Sequence, residues 1–160
     1  MIYTFDIDGP PFGKPAISQT AKGLRYRSRE VSAYYGKVAW LARGALGFRH
    51  SAAPVIVITA IKARPKRKPQ DYPLQWGSKR NPCLAKPDAD NIAKCVLDGL
   101  KYAKAFDDDC RVSGLTVWTF YAAEGEGPHV IVEVLDLAQQ SKNVSTNRGN
   151  YGDTDTKTTG

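Results

Sequence analysis

Asp88 and Asp90 are separated by a single residue, Lys94 follows four positions after Asp90, and three consecutive acids, Asp107-Asp108-Asp109, come shortly beyond. Asp88 falls at the entry of a segment with helical periodicity and Asp90 one turn in, so their carboxylates lie close together. Neighbouring carboxylates repel at neutral pH unless a cation or a proton stands between them. Hard oxygen donors of this kind suit Mg2+ or Mn2+. Lys94 shares a helix face with Asp90 and is placed to offset charge on a phosphate or to orient a carboxylate. The acidic triplet opens the following strand and offers a third ligand. Carboxylates with a lysine are the groups that metal-assisted phosphodiester hydrolysis requires: the ion lowers the pKa of a bound water and polarises the phosphoryl oxygen.

Each group also has a structural explanation on its own. Asp88 reads as a helix N-cap, worth about 1 kcal/mol. Asp90 and Lys94 read as an exposed i,i+4 pair, and the triplet as a solubilising turn.

Charge distribution favours the chemical reading. The net charge is +7, but from Lys14 to Lys86 there are sixteen Lys or Arg against two acids, Glu30 and Asp71, whereas Asp88 to Asp109 holds six acids in 22 residues. A basic surface attracts a polyanion, and nucleic acid is the common one. Acids embedded in such a surface repel that polyanion unless they hold a cation. Candidate DNA contacts are Lys14, Arg25, Arg27, Arg64, Lys66, Arg67, Lys68, Trp76, Lys79, Arg80 and Lys86, the cations for phosphates and the ring for an unstacked base.

The elements that must position these residues form a short series. Met1–Ile7 alternates as a strand, and DGPPFGKP ends it in a loop. Ser18–Arg29 is a polar, basic arm. Glu30–Leu46 has the spacing of an amphipathic helix that Gly47 terminates. Pro54–Ala60 is a β-branched buried strand. Lys62–Pro87 is a 26-residue connection, long enough to suggest a function of its own. Asp88–Lys101 is the clearest helix, with Ile92, Ala93, Val96 and Leu100 on one face. Arg111–Tyr121 and His129–Leu137 read as strands joined through EGEGP in a hairpin, and Ala138–Gly160 as a disordered polar tail. The expected architecture is one α+β domain with a mixed sheet and two principal helices, in the order βαβαββ.

Other chemistry finds little support. His50 and His129 do not cluster, and Cys83, Cys95 and Cys110 lack zinc-ligand spacing, in keeping with a reduced, cytoplasmic compartment. The opening MIYTFDID has no basic or apolar leader, and no apolar run approaches the ~20 residues of a membrane span. Neither GxxxxGK[ST] nor GxGxxG occurs, so no nucleotide cofactor is expected. Trp40 and Trp118 are expected in the core.

The stretch KPDADNIAKCVLDGL…FDDDCRV resembles the signature of the RusA family of Holliday junction resolvases, close to KPDxDNxxKxxxDxL…DDxxV. The resemblance covers residues 1–137, the expected nuclease domain. Asp88 and Asp90 lie 21 and 19 residues before Asp109, which the spacing matches to the second Asp of the DD pair. The resemblance implies a homodimer that nicks four-way DNA junctions with Mg2+ or Mn2+, in recombination and repair. It makes Asp88, Asp90 and Asp109 the catalytic, metal-holding carboxylates and Lys94 the essential lysine. Asn91 and Asp98 fall on motif positions with a structural role. A third acid at 107–109 adds Asp108 as a candidate to share the ligand role. Two alternatives stand beside this reading: a non-catalytic nucleic-acid-binding protein, and a nuclease with a flap or fork substrate.

Overall fold

Alternation of Phe5 and Ile7 inward with Thr4, Asp6 and Asp8 outward makes Ile2–Asp8 a half-buried strand, β1. The computed structural model describes residues 1–13, 18–19, 25–26, 28–47, 50–66 and 80–136. Residues 18–19 (β2) and 25–26 (β3) form a two-stranded antiparallel ladder. The expected tail, 138–160, lies outside the described residues, as do the side chains of Lys14, Arg25, Arg27, Arg67, Lys68, Trp76 and Lys79.

Helix α1, Arg29–Leu46, starts where the Ser28 hydroxyl accepts from Val31 N at 3.3 Å. It ends at Gly47, whose φ of 58° is the left-handed conformation that glycine adopts without a Cβ penalty. Its buried positions, Val31, Tyr35, Val38, Ala39, Ala42 and Leu46, follow the helical repeat. Strand β4 is Pro54–Lys62 and β5 is Asn81–Pro82. Helix α2 runs Ala89–Tyr102; Ile92, Val96 and Leu100 are fully buried, each contributing about 2 kcal/mol of transfer free energy. A 3-10 turn, Asp109–Arg111, leads into β6, Gly114–Tyr121, and β7 is His129–Asp136.

The five-stranded sheet has the order β1-β7-β4-β6-β5. β4 is its centre, parallel to β6 and antiparallel to β7. The expected single α+β domain with a mixed sheet and two helices is what forms. The expected hairpin is not: β6 and β7 are separated by β4. The cause is the crossover. A strand, helix, strand sequence makes β4 and β6 parallel neighbours, and β4, rich in Val and Ile, takes a ladder on both edges. The connection 122–128 then crosses the roughly 10 Å to the far side of β4.

Both helices cover one face of the sheet, and the core lies between them. On the other face Trp118 stacks on Phe120 with ring centroids 6.4 Å apart. Trp118 is 54% exposed and Trp40, on α1, 74% exposed. Neither belongs to the core that their size suggests; both project from faces on which the described residues add no second layer.

Candidate active site

Asp88 occupies the N-cap of α2 but makes no capping hydrogen bond with its side chain. Its carboxylate is exposed, and among the described residues nothing pairs with it. Asp90, in the first turn, accepts from Lys94 Nζ at 2.9 Å. That hydrogen bond, then the Lys94 charge, holds the Asp90 carboxyl below the usual carboxylate range. Asp88 lines an open pocket of about 410 Å³ together with Pro11, Phe12, Gly13, Lys86, Pro87 and Asn91. The PFG segment reaches it because Phe12 stacks on Tyr34 of α1, ring centroids 5.1 Å apart. Gly13 is required there: a Cβ at this position would stand 2.4 Å from Pro87 Cβ.

The approach to α2 is tied to the centre of the sheet. Lys62, the last residue of β4, is 7% exposed. Its ammonium donates to the carbonyls of Ala85 and Pro87, the latter at 2.7 Å. Lys62 was not legible as a site residue, because its acceptors are backbone oxygens. Exposed Lys86 adjoins the same pocket.

The acidic triplet is at the other end of α2. Lys101, in the last turn, donates to Asp108 Oδ1 at 2.6 Å. The same Asp108 oxygen accepts from Asp109 N at 2.8 Å and so starts the 3-10 turn. The Lys101 hydrogen bond, then that from the Asp109 amide, keeps Asp108 below the usual carboxylate range, and Asp108 in turn raises Lys101. Asp107 pairs with His50 at 3.2 Å. Asp109 is exposed, and no hydrogen bond or ion pair engages its carboxylate among the described residues.

Asp88 and Asp90 therefore sit beside Lys62, at the C-terminal end of β4. Asp109 sits near Pro54, the N-terminal end of β4, where Ser113 N donates to Pro54 O at 2.9 Å. Fourteen residues of α2 stand between, a separation of about 20 Å. The triplet, expected to offer a third ligand to Asp88 and Asp90, does not reach them within one chain. Among the described residues no three His, Cys, Asp or Glu side chains gather to hold an ion.

The remaining basic candidates differ in availability. Arg80 forks onto Glu126, with Nε at 3.0 and 3.1 Å from the two carboxylate oxygens. Arg80's hydrogen bonds outweigh the opposing effect of burial and, with the Ala123 amide, bring the Glu126 carboxyl down to about 2. Arg64, half-buried, and Lys66, exposed, follow β4 on the side of Asp88. Asp98 accepts from Tyr35 Oη at 2.5 Å, joining α2 to α1. Of the two further charged groups at the triplet end of α2, Lys101 falls on the polar face that the periodicity indicates, whereas Arg43, which donates to Tyr102 O at 3.1 Å and caps the helix, had no signal in the sequence.

A mixed sheet carrying two helices on one face, with carboxylates at both ends of the second helix that are unpaired among the described residues, defines a small α+β protein. A family model described as endodeoxyribonuclease RusA matches residues 8–135. The chain belongs to that family, and the family is one of DNA endonucleases. A comparison with curated proteins returned no match. No helix among the described residues is long and apolar enough to cross a membrane.

Proposed function

We propose that the chain is a divalent-metal-dependent endonuclease that resolves four-way DNA junctions in recombination and repair, and that its active site is shared between two copies. The observation that carries this reading is the location of its uncommitted carboxylates. Among the described residues Asp88 and Asp109 lack partners, yet α2 holds them about 20 Å apart. A two-fold axis through the middle of α2 sets the helices of two copies antiparallel. It brings Asp88 and Asp90 of one copy beside Asp109 of the other, twice over. Two equivalent sites are what a symmetrical pair of nicks needs.

The donor set fits Mg2+ or Mn2+: exposed carboxylate oxygens, with neither thiol nor imidazole required. Asp88, Asp90 and Asp109 would hold the ion, with Asp108 beside Asp109 as a further oxygen donor. When bound, it activates a water and takes charge from the phosphoryl oxygen. The protein's own contribution is positional. Lys94 stands one turn along the helix face from Asp90 and offsets charge on the phosphate. Lys86, Arg64 and Lys66 hold the DNA backbone on the same side, without reading sequence. Family membership favours this chemistry over a non-catalytic binder.

The test is cleavage of a synthetic four-way junction with and without Mg2+, beside a linear duplex and a flap of the same sequence. Junction cleavage that requires the metal, with the duplex spared, supports the proposal. Cutting that ignores the metal, or that prefers the flap, rejects the mechanism or the substrate respectively.

A further inference from the structure

The acids proposed as ligands do not account for the lysine buried beneath them. Lys62 ends the central strand with its side chain covered, and no carboxylate pairs with its ammonium among the described residues. Removing an ammonium from water is costly unless its protons are satisfied. Here two are, by the Ala85 and Pro87 carbonyls, and such charge-assisted bonds are stronger than neutral ones. The backbone of Lys62 is held as well: its carbonyl accepts from Ala122 N at 2.8 Å. The side chain thus joins the most constrained strand of the sheet to the two residues preceding Asp88.

This arrangement has a direct consequence for Asp88. An N-cap side chain ordinarily orients itself by bonding to the helix's first amides, and Asp88 makes no such bond. Its direction is therefore set from behind, by the backbone that delivers it. Pro87 fixes one torsion of that backbone, and Lys62 fixes the position of the Pro87 carbonyl. On the reading that Asp88 is a metal ligand, we propose that Lys62 is the positioning residue of the site: it aims the Asp88 carboxylate at the ion through the Ala85–Pro87 segment.

Electrostatics alone argues in the opposite direction, which makes the proposal decidable. Deleting a positive charge close to an acidic site tightens a cation by Coulomb's law. Loosening a group that orients a ligand weakens it, commonly by 10- to 100-fold. Lys62→Met keeps the aliphatic stem and removes the donors, and Lys62→Gln retains one donor for use should the methionine variant fail to fold. Mn2+ binding to the full chain, without DNA, is read from loss of the free-ion electron paramagnetic resonance signal. Thermal melting and metal-free junction binding are measured in parallel.

The expected result is an apparent Mn2+ Kd at least about tenfold higher in Lys62→Met, with Lys62→Gln between it and wild type. Metal-free junction binding stays unchanged. A variant that binds Mn2+ as tightly as wild type, or more tightly, overturns the role of Lys62 while leaving the metal reading intact. A fall in melting temperature with no change in Kd does the same, since it marks a purely structural clamp. A wild-type chain that takes up no Mn2+ overturns both together.

Discussion

Lys94 donates to Asp90 across one turn of α2 at 2.9 Å, so the second acid of the DxDN pair is already matched with a cation. Asp90 has this partner, and among the described residues Asp88 has none. The two acids are thus unequal: one is kept ionised by a neighbour that a metal must compete with, and the other is open. Replacing Asp90 with Asn should reduce junction cleavage by about a hundredfold or more. Junction binding in a gel-shift assay should hold or tighten, because one repulsive charge is gone. Cleavage and binding that both match wild type would remove Asp90 from the site.

Removing the competitor should separate metal binding from catalysis. In Lys94→Gln the Asp90 carboxylate no longer satisfies an ammonium, and Mn2+ should bind about twofold more tightly. Cleavage at saturating metal should nevertheless fall by roughly a hundredfold, through loss of charge stabilisation at the phosphate. Weaker metal binding in this variant would instead make Lys94 an orienting group.

The Arg80–Glu126 pair gives a pH dependence of known sign. The Glu126 carboxyl lies at about 2 in the folded protein against an ordinary 4.5. Its contribution is therefore present above about pH 4.5 and lost as the pH falls toward 2. The side chains are 39% and 20% exposed, so solvent screening keeps the contribution under about 1 kcal/mol. Urea unfolding at pH 7 should show Glu126→Gln less stable than wild type, and the gap should close near pH 2. A gap that persists in acid would mean that packing of Glu126, and not its charge, matters.

Between the helices, Tyr35→Phe removes the hydroxyl that Asp98 accepts from. A hydrogen bond to a charged acceptor is worth about 1.5 to 3 kcal/mol, so the melting temperature should drop by about 5 °C or more. Cleavage per folded molecule should be unchanged, which a comparison of specific activity at 20 °C below the new midpoint checks. A loss of activity out of proportion to folding would give this motif aspartate a part in the chemistry.

Much of the frame was readable from residue spacing, because periodicity reports burial directly. The stripe Val31, Tyr34 or Tyr35, Val38, Leu41 or Ala42 and Leu46 indicated α1, with Tyr35 and Ala42 the buried members, and Ile92, Val96 and Leu100 indicated α2. Partner choice in the sheet was not readable in the same way. Nothing local to β6 or β7 says that β4 will lie between them; the crossover through α2 decides it. Trp118 and Trp40 were misread because size alone favours burial, whereas exposure depends on whether a second layer exists. At the site, residue types were legible and their relation was not. Asp109 is 19 residues after Asp90, and most of that distance is straight helix, which carries the chain away from the first two acids. Lys62 gave no signal, since carbonyl acceptors belong to every residue alike.

A subunit-complementation assay tests the shared site most directly. Chains bearing Asp90→Asn and Asp109→Asn are co-expressed with different tags, and the mixed dimer is isolated by both. In such a dimer one site loses both acids and the other keeps Asp90 from one copy and Asp109 from its partner. The mixed dimer should nick the junction at roughly half the wild-type rate for a first cut, while each parent homodimer stays inactive. A mixed dimer as inactive as its parents would contradict the account, since it would mean that Asp90 and Asp109 must serve on the same chain.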